Sequence, residues 1–292
     1  MASPTPLVRC RTIEHADLAR VLALLEAGFP ERSRERWVLA LNRLSEHPTP
    51  AGLPKYGYLL EADSELVGVI LVIFSSSVVE GQVRVRGNVS GWYVVPAYRS
   101  HAAMLASHAL GHKGVTFLNI SPARHTWPIL EAQGYTKFGA GQFFAVPALC
   151  APQPRVAVRA AAHDLKPGMG LSQSEVDLLL SHAEYGCHSV VVDSADGRYP
   201  FVFARRWERW KGIKFPYGLV AYCRGSDVFV RFAGPLGRFL ALRGMPVICI
   251  DANQPILGLA GKFVEWGPRF FKGPNPPRLG DVAYTERVMF GF

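Results

Sequence analysis

The chain has 292 residues, 49% of them hydrophobic and 19% charged. That balance excludes an intrinsically disordered protein, and a length beyond one typical domain of about 100–200 residues predicts two compact units. The formal net charge of +9, with the basic excess leaning toward residues 151–292, suits anions such as phosphate groups, an acidic protein, nucleic acid or an anionic membrane face.

Val8 to Ile13 has strand character. Glu14-His-Ala-Asp17 reads as a helix start before Leu18, Val21, Leu22 and Leu25, which recur at helical spacing. This helix is expected to stop near Gly28-Phe-Pro30. A second helix carries Trp37, Leu41 and Leu44 on one face, and Glu31-Arg-Ser-Arg-Glu-Arg36 before it reads as a charged helix face or as a segment closing over an acceptor. Tyr56 to Glu61 and Val67 to Phe74 are β-rich runs around the polar turn Ala62-Asp-Ser-Glu65, a hairpin pattern. A long strand over Val83 to Val95 runs into Pro96-Ala-Tyr-Arg99. A helix from about Ala102 to Leu110, the apolar strand Val115 to Ile120, a helix from Thr126 to its glycine stop at Gly134, and a strand Lys137 to Val146 follow.

Pro147-Ala-Leu-Cys-Ala-Pro-Gln-Pro154 disfavours either regular element and is the expected linker. Beyond it, Val156 to Ala160 reads as a strand, and Ser172-Gln-Ser-Glu175 has capping-box spacing before Val176, Leu179 and Leu180. Val190 to Val192, Pro200 to Ala204, Tyr217 to Tyr222 and Asp227 to Phe232 read as strands. A helix over Leu236 to Arg243 precedes a strand over Val247 to Asp251. Arg205-Arg-Trp-Glu-Arg-Trp-Lys211 interleaves basic and aromatic residues. It suits an anionic partner, or equally a ribbon whose tryptophans pack down while its arginines face water.

Five cysteines, odd in number and without a C-x-x-C pair, fit a reducing compartment. Met1-Ala-Ser-Pro-Thr-Pro-Leu7 lacks the pattern of a secretory signal, and no run of about 18 apolar residues suits a membrane span. The expected location is the cytoplasm. Zinc-finger spacing, an RNP-type motif and consecutive lysines are missing from the sequence, which argues against a nucleic-acid partner.

The strand Asn88-Val-Ser-Gly-Trp-Tyr-Val-Val95, the turn, helix and strand after it, and the helix exit Ala132-Gln-Gly-Tyr135 resemble the core of the GNAT acyltransferase family. The resemblance runs from residue 8 to residue 146. It implies an α/β (α+β) fold with a GNAT-like mixed central sheet flanked by helices. Residues 1–148 would be the acyl-CoA-binding domain, 149–155 the linker and 156–292 a second, eroded GNAT-like domain. It also implies acyl-CoA or acetyl-CoA as donor substrate, with no metal. Pantetheine amides would pair with Tyr93, Val94 and Val95, and the pyrophosphate would face Arg99, Ser100, His101, Ala102, Ala103 and Met104. Arg99 matches the first position of the family's Gln/Arg-x-x-Gly-x-Gly/Ala loop, while Ala102 and Met104 replace its glycines.

The family's central-strand carboxylate is replaced by Ser90 and Gly91, and its helix tyrosine by Leu130. Ser121 and His125 are the substitute catalytic candidates, since a histidine titrates near neutrality. A turn role for Ser121 and a surface or cap role for His125 stand beside that reading. His108 and His112, four apart on one helix, lack a third ligand nearby and are expected to face solvent. The implied function is transfer of an acyl group from acyl-CoA, or an acyl-carrier thioester, to an amine or hydroxyl of a small-molecule acceptor, with an acyl carrier protein as a further partner. The alternative is a catalytically silent GNAT-like protein that binds a ligand or partner.

Overall fold

The computed structural model describes residues 7–79, 81–210 and 212–291. The chain divides into two compact units: the chain up to Asn119 with Lys272–Asn275 and the stretch from Tyr284 onward, and Ile120–Phe271 with Pro276–Ala283.

In the first unit, β1 (Val8–Thr12) leads through α1 (Leu18–Gly28) and α2 (Arg34–Glu46) to β2 (Gly57–Ala62), β3 (Glu65–Val79) and β4 (Gln82–Val94). A crossover helix α3 (Ala102–Ala109) then precedes β5 (Val115–Asn119). The strands lie in the order β1-β2-β3-β4-β5, antiparallel except for the parallel pair β4–β5. Val67 to Phe74 of β3 are buried at successive positions, so both faces of this strand are covered. Val21, Leu22, Leu24 and Leu25 of α1, and Trp37, Ala40, Leu41 and Leu44 of α2, are buried at helical spacing. Arg11 of β1 binds Asp17 at 2.6 and 2.7 Å and Glu61 of β2 at 2.8 and 3.0 Å, so these two buried carboxylates are paired.

In the second unit, α4 (Trp127–Ala132) and β6 (Thr136–Ala145) come first. Then follow β7 (Ala157–Ala160), α5 (Gln173–Glu184), β8 (His188–Ser194), β9 (Gly197–Trp210), β10 (Ile213–Tyr222), α6 (Ser226–Arg231), α7 (Ala233–Ala241), β11 (Val247–Ala252) and β12 (Gly261–Lys272). The strand order is β12-β6-β11-β10-β9-β8-β7, with β10 and β11 parallel and the other pairs antiparallel. From β7 to β11 the succession is strand, helix, three antiparallel strands, helical crossover and parallel strand. The succession from β1 to β5 is the same except that two helices, α1 and α2, follow β1. The core is aromatic, with Phe201, Phe203, Phe229 and Phe232 buried beside Leu236, Leu240, Ile248 and Ile250. The expected capping box is present at α5, where Ser172 N–H donates to Glu175 Oε2 at 3.0 Å and Ser172 Oγ accepts from Glu175 N–H at 3.3 Å.

Three expectations need correction. The division between units falls at Asn119 and Ile120, not at 149–155, because β6 pairs with β11 and β12. The proline-rich stretch is packed: Gln153 Nε2 donates to Arg231 O at 2.6 Å, and Arg238 Nη1 to Cys150 O at 3.1 Å. Residues 156–292 do not form one unit, since the stretch from Tyr284 onward, with α8 (Glu286–Met289), and Lys272–Asn275 belong to the first. Finally, Asp227–Phe232 is largely helical rather than a strand. Its β-branched and aromatic residues favour a strand locally, but Phe229, Phe232 and Leu236 fall at helical spacing and all enter the core. The Arg205–Trp210 run belongs to strand β9, and Lys211 lies outside the described residues.

All five cysteines are free thiols. Among the described residues no helix is long and apolar enough to cross a membrane.

Candidate functional site

The end of β4 combines a register shift against β3 with the end of its pairing with β5. Its parallel pairing with β5 runs from Val85↔Val115 to Asn88↔Leu118. β5 ends at Asn119, whereas β4 continues to Val94. Between these points the register with β3 shifts from Ser90↔Leu71 to Tyr93↔Val69. Gly91 sits at the shift with φ +56°, and a Cβ there would meet Leu25 Cδ2 at 3.1 Å and Leu71 Cδ1 at 3.2 Å. Both the left-handed backbone and the contact with α1 favour glycine, and the bulge bends the strand. The result is a parallel pair that opens beyond Asn88.

The sequence-predicted donor residues form one continuous run at this opening. The ring of Tyr93 lies over Gly28 at the end of α1, with its centroid 6.3 Å from that of Phe29. Val94 is buried, and Val95 N–H donates to Val67 O at 2.9 Å. Pro96–His101 forms a 3-10 turn leading into α3, in which Tyr98 N–H donates to Val95 O and Ala102 N–H to Arg99 O. Arg99, Ser100 and Ala103 are exposed, while His101, Ala102 and Met104 are half-buried. Ser100 Oγ lies 3.2 Å from His101 Nδ1. Ala102 has ordinary helical dihedrals, φ −59° and ψ −35°, so its backbone conformation does not require a glycine.

Ser121 and His125 lie in the second unit. Both are exposed, with His125 in the 3-10 turn Arg124–Thr126 that precedes α4. His108 is exposed as expected, with Nδ1 2.9 Å from Met104 O. His112 is half-buried instead, because its Nε2 lies 2.6 Å from Tyr58 Oη. Among the described residues no group of three or more His, Cys, Asp or Glu side chains could hold a metal ion.

Sequence reasoning did not single out a second group of residues in the first unit. Asn88 and Glu286 are 2% and 1% exposed, and Asn88 Nδ2 donates to Glu286 Oε2 at 2.5 Å. Arg32, between α1 and α2, places its guanidinium 5.4 Å from the ring centroids of both Phe29 and Trp37. Burial lowers the Arg32 pKa, and the charge of Glu286 opposes that shift. The C-terminal segment is tied down by Arg43 Nη1, which donates to Met289 O at 2.7 Å, and by the His47 ring, 5.1 Å from that of Tyr284. The signal available for Glu286 was Thr285 standing as an N-cap residue before it. Nothing local connects that turn to β4.

A parallel strand pair that opens at a bulge, followed by a turn and a crossover helix, marks the first unit, and the chain as a whole is similar in fold to solved structures. A GCN5-related N-acetyltransferase from Anabaena variabilis is similar with a TM-score of 0.59 at 11% identity, over 91% of this chain and 72% of that one. A protein from Pyrococcus horikoshii gives 0.57 at 13% identity, over 95% and 93%. A GCN5-related N-acetyltransferase from Kribbella flavida gives 0.52 at 15% identity, over 91% and 71%. The chain therefore has the GNAT fold. No protein-family model and no curated protein sequence matches it.

Proposed function

We propose that the protein transfers an acyl group from acyl-CoA, or an acyl-carrier thioester, to an amine or hydroxyl acceptor, with the donor lying along the open edge of β4. The observation that carries this reading is the end of the β4–β5 register at Asn88↔Leu118 while β4 runs on to Val94 and into the turn before α3. An extended arm containing amides adds to such an edge through main-chain hydrogen bonds, which depend little on side-chain identity. A helix N-terminus beside Arg99 and His101 attracts phosphate groups. In the reaction the acceptor attacks the thioester carbonyl carbon, the C–S bond breaks, and the acceptor's proton ends on sulfur. The second unit is read as a second GNAT-like domain. Its repeated succession of strands and helices supports this, as do structural likenesses that cover at least 91% of the chain. The five free thiols are consistent with a reducing, cytoplasmic setting.

A specific observation favours the silent alternative. The N–H groups of Tyr98 and Ala102 are engaged within the turn, and Ala102 and Met104 place side chains where the family has glycines. Calorimetry with acetyl-CoA, longer acyl-CoAs and an acyl-loaded carrier protein separates the readings. Donor binding weakened by Arg99→Ala and accompanied by thiol release supports transfer. Binding without thiol release favours the silent protein, and no binding of any donor removes the β4 edge as a donor site.

A further inference from the structure

We infer that the ribbon of β9 and β10, together with the end of α7, forms a patch that binds an anionic membrane surface. This goes beyond acyl transfer and lies wholly within the second unit.

The pairing of β8 with β9 stops at His188↔Phe203, and that of β10 with β11 starts at Tyr217↔Val247. β9 nevertheless runs on to Trp210, and β10 begins at Ile213. The intervening pairs, among them Trp207↔Pro216 and Glu208↔Phe215, form a two-stranded ribbon that projects past the neighbouring strands. Side chains alternate between the faces of such a ribbon. Arg205 and Trp207 therefore share the face of Phe201 and Phe203, on which Leu236 and Leu240 of α7 pack, and Glu208 takes the other.

Cations gather on the α7 face. Arg205 Nη2 donates to Arg243 O just past α7, and the Arg243 guanidinium lies 3.5 Å from the Phe239 ring centroid. Burial lowers the His188 pKa, and the charges of Arg205 and Arg243 lower it further, which places both arginines near that ring. Lys214 Nζ stands 4.9 Å from the Trp207 ring centroid. From Phe232 to Ile250 the sequence has no Asp or Glu to offset these charges.

Apolar groups stand among the cations. Trp207 is 53% exposed, and Leu242, next to Arg243, is 87% exposed. Capping of the α7 carbonyls accounts for Arg205 and Arg243, but packing in the core accounts for neither Trp207 nor Leu242. An indole and an aliphatic side chain among lysine and arginine suit a membrane boundary, where the apolar groups enter the headgroup layer and the cations meet anionic headgroups. A nucleic acid or an acidic peptide would use the cations and leave Leu242 without a counterpart.

The test is co-sedimentation of the full chain with vesicles of phosphatidylcholine alone or mixed with phosphatidylserine. Binding is expected to the mixed vesicles only, and to weaken as salt is added. Lys214→Ala is expected to lower that binding about fivefold and to reduce its salt dependence. Leu242→Ser, at a position already in solvent, is expected to lower binding with the salt dependence unchanged. Brominated lipid in the mixed vesicles is expected to quench tryptophan fluorescence, and to quench it less in Trp207→Phe. Should Trp207→Phe fail to fold, the other two variants carry the test. Equal binding to both vesicles, binding to neither, binding unchanged in Lys214→Ala and Leu242→Ser, or quenching unchanged in Trp207→Phe overturns the inference. So does tighter binding to an oligonucleotide or a polyglutamate peptide than to the mixed vesicles at equal ionic strength.

Discussion

In the second unit the N–H of Val282 donates to the carbonyl of Ala221 at 2.9 Å. Ala221 lies past Leu219↔Cys249, the last pair of the parallel β10–β11 register. Cys223 N–H donates to Gly280 O at 2.8 Å, and Tyr222 bridges Asp281 on the edge away from β9. Arg278 lies 4.8 Å from the Tyr222 ring centroid and 3.6 Å from Asp281, which fastens the segment further. The edge of β10 that corresponds to the open edge of β4 is thus covered by the chain itself. We expect one acyl-CoA bound per chain by calorimetry. A second equivalent would contradict this closure.

The same segment depends on Gly280. Its φ is +80°, and a Cβ would come 2.6 Å from Cys223 Sγ. Gly280→Ala therefore combines left-handed strain with overpacking, and about 2–4 kcal/mol of stability should be lost in urea denaturation. Gly186 has a similar φ of +81° with nothing within 4 Å of its Cβ position. Gly186→Ala isolates the backbone cost, about 1 kcal/mol. Equal losses in the two variants would show that the Cys223 contact contributes nothing.

Legibility in the sequence followed the range of the interactions. β4, α3 and α4 were readable because strand propensity, helical spacing and the stop at Gly134 are local signals that agree. The Asp227–Phe232 stretch was misread because Val228, Phe229 and Val230 favour a strand locally, while burial of Phe229 against the sheet decides for a helix. β12 passed unnoticed, its strand pattern interrupted by Gly267-Pro268. The prolines of 147–154 restrict the backbone but cannot say what it packs on. Glu286 is 198 residues from Asn88, and neither short motif nor periodicity encodes such a pairing. The predicted run 93–104 is continuous in the chain, so its place at the end of β4 and in the turn before α3 was visible. The contact of Glu286 with Asn88 is made by the returning C-terminal segment and was not.

His47 predicts a loss of stability in mild acid. It is 3% exposed, with Nε2 2.9 Å from Phe74 O, so Nε2–H donates to that carbonyl. Burial, helped by the charge of Lys55 and opposed by the Phe74 bond, lowers its pKa from 6.5 to about 4. Because the folded pKa is the lower one, protonation favours the unfolded chain. The contribution of neutral His47 is complete above the unfolded value and is lost as pH falls from 6.5 toward 4, with a slope approaching about 1.4 kcal/mol per pH unit. Asp17, held at about 2 chiefly by its bonds to Arg11, loses its contribution only as pH falls below its ordinary 3.8. Denaturation midpoints between about pH 7.5 and 4.5 should therefore fall less steeply in His47→Gln, whose amide can still donate to Phe74. Identical slopes would assign the acid sensitivity to another group.

Arg269 and Asp251 form a buried pair in the second unit, each 3% exposed. Nε and Nη2 of Arg269 reach the two carboxylate oxygens at 3.1 and 3.0 Å, Nη1 donates to Ile120 O, and Gln142 Nε2 donates to Asp251 Oδ1 at 3.2 Å. Arg269→Met leaves the carboxylate buried without its counter-charge, and a loss of about 3–5 kcal/mol is expected in denaturant unfolding. Replacing Asp251 by Leu in the same chain removes the uncompensated charge together with its desolvation cost. The double variant should therefore be more stable than Arg269→Met alone. If it is less stable, the carboxylate has other partners worth keeping and the network, rather than the ion pair, is the unit that holds β6, β11 and β12 together.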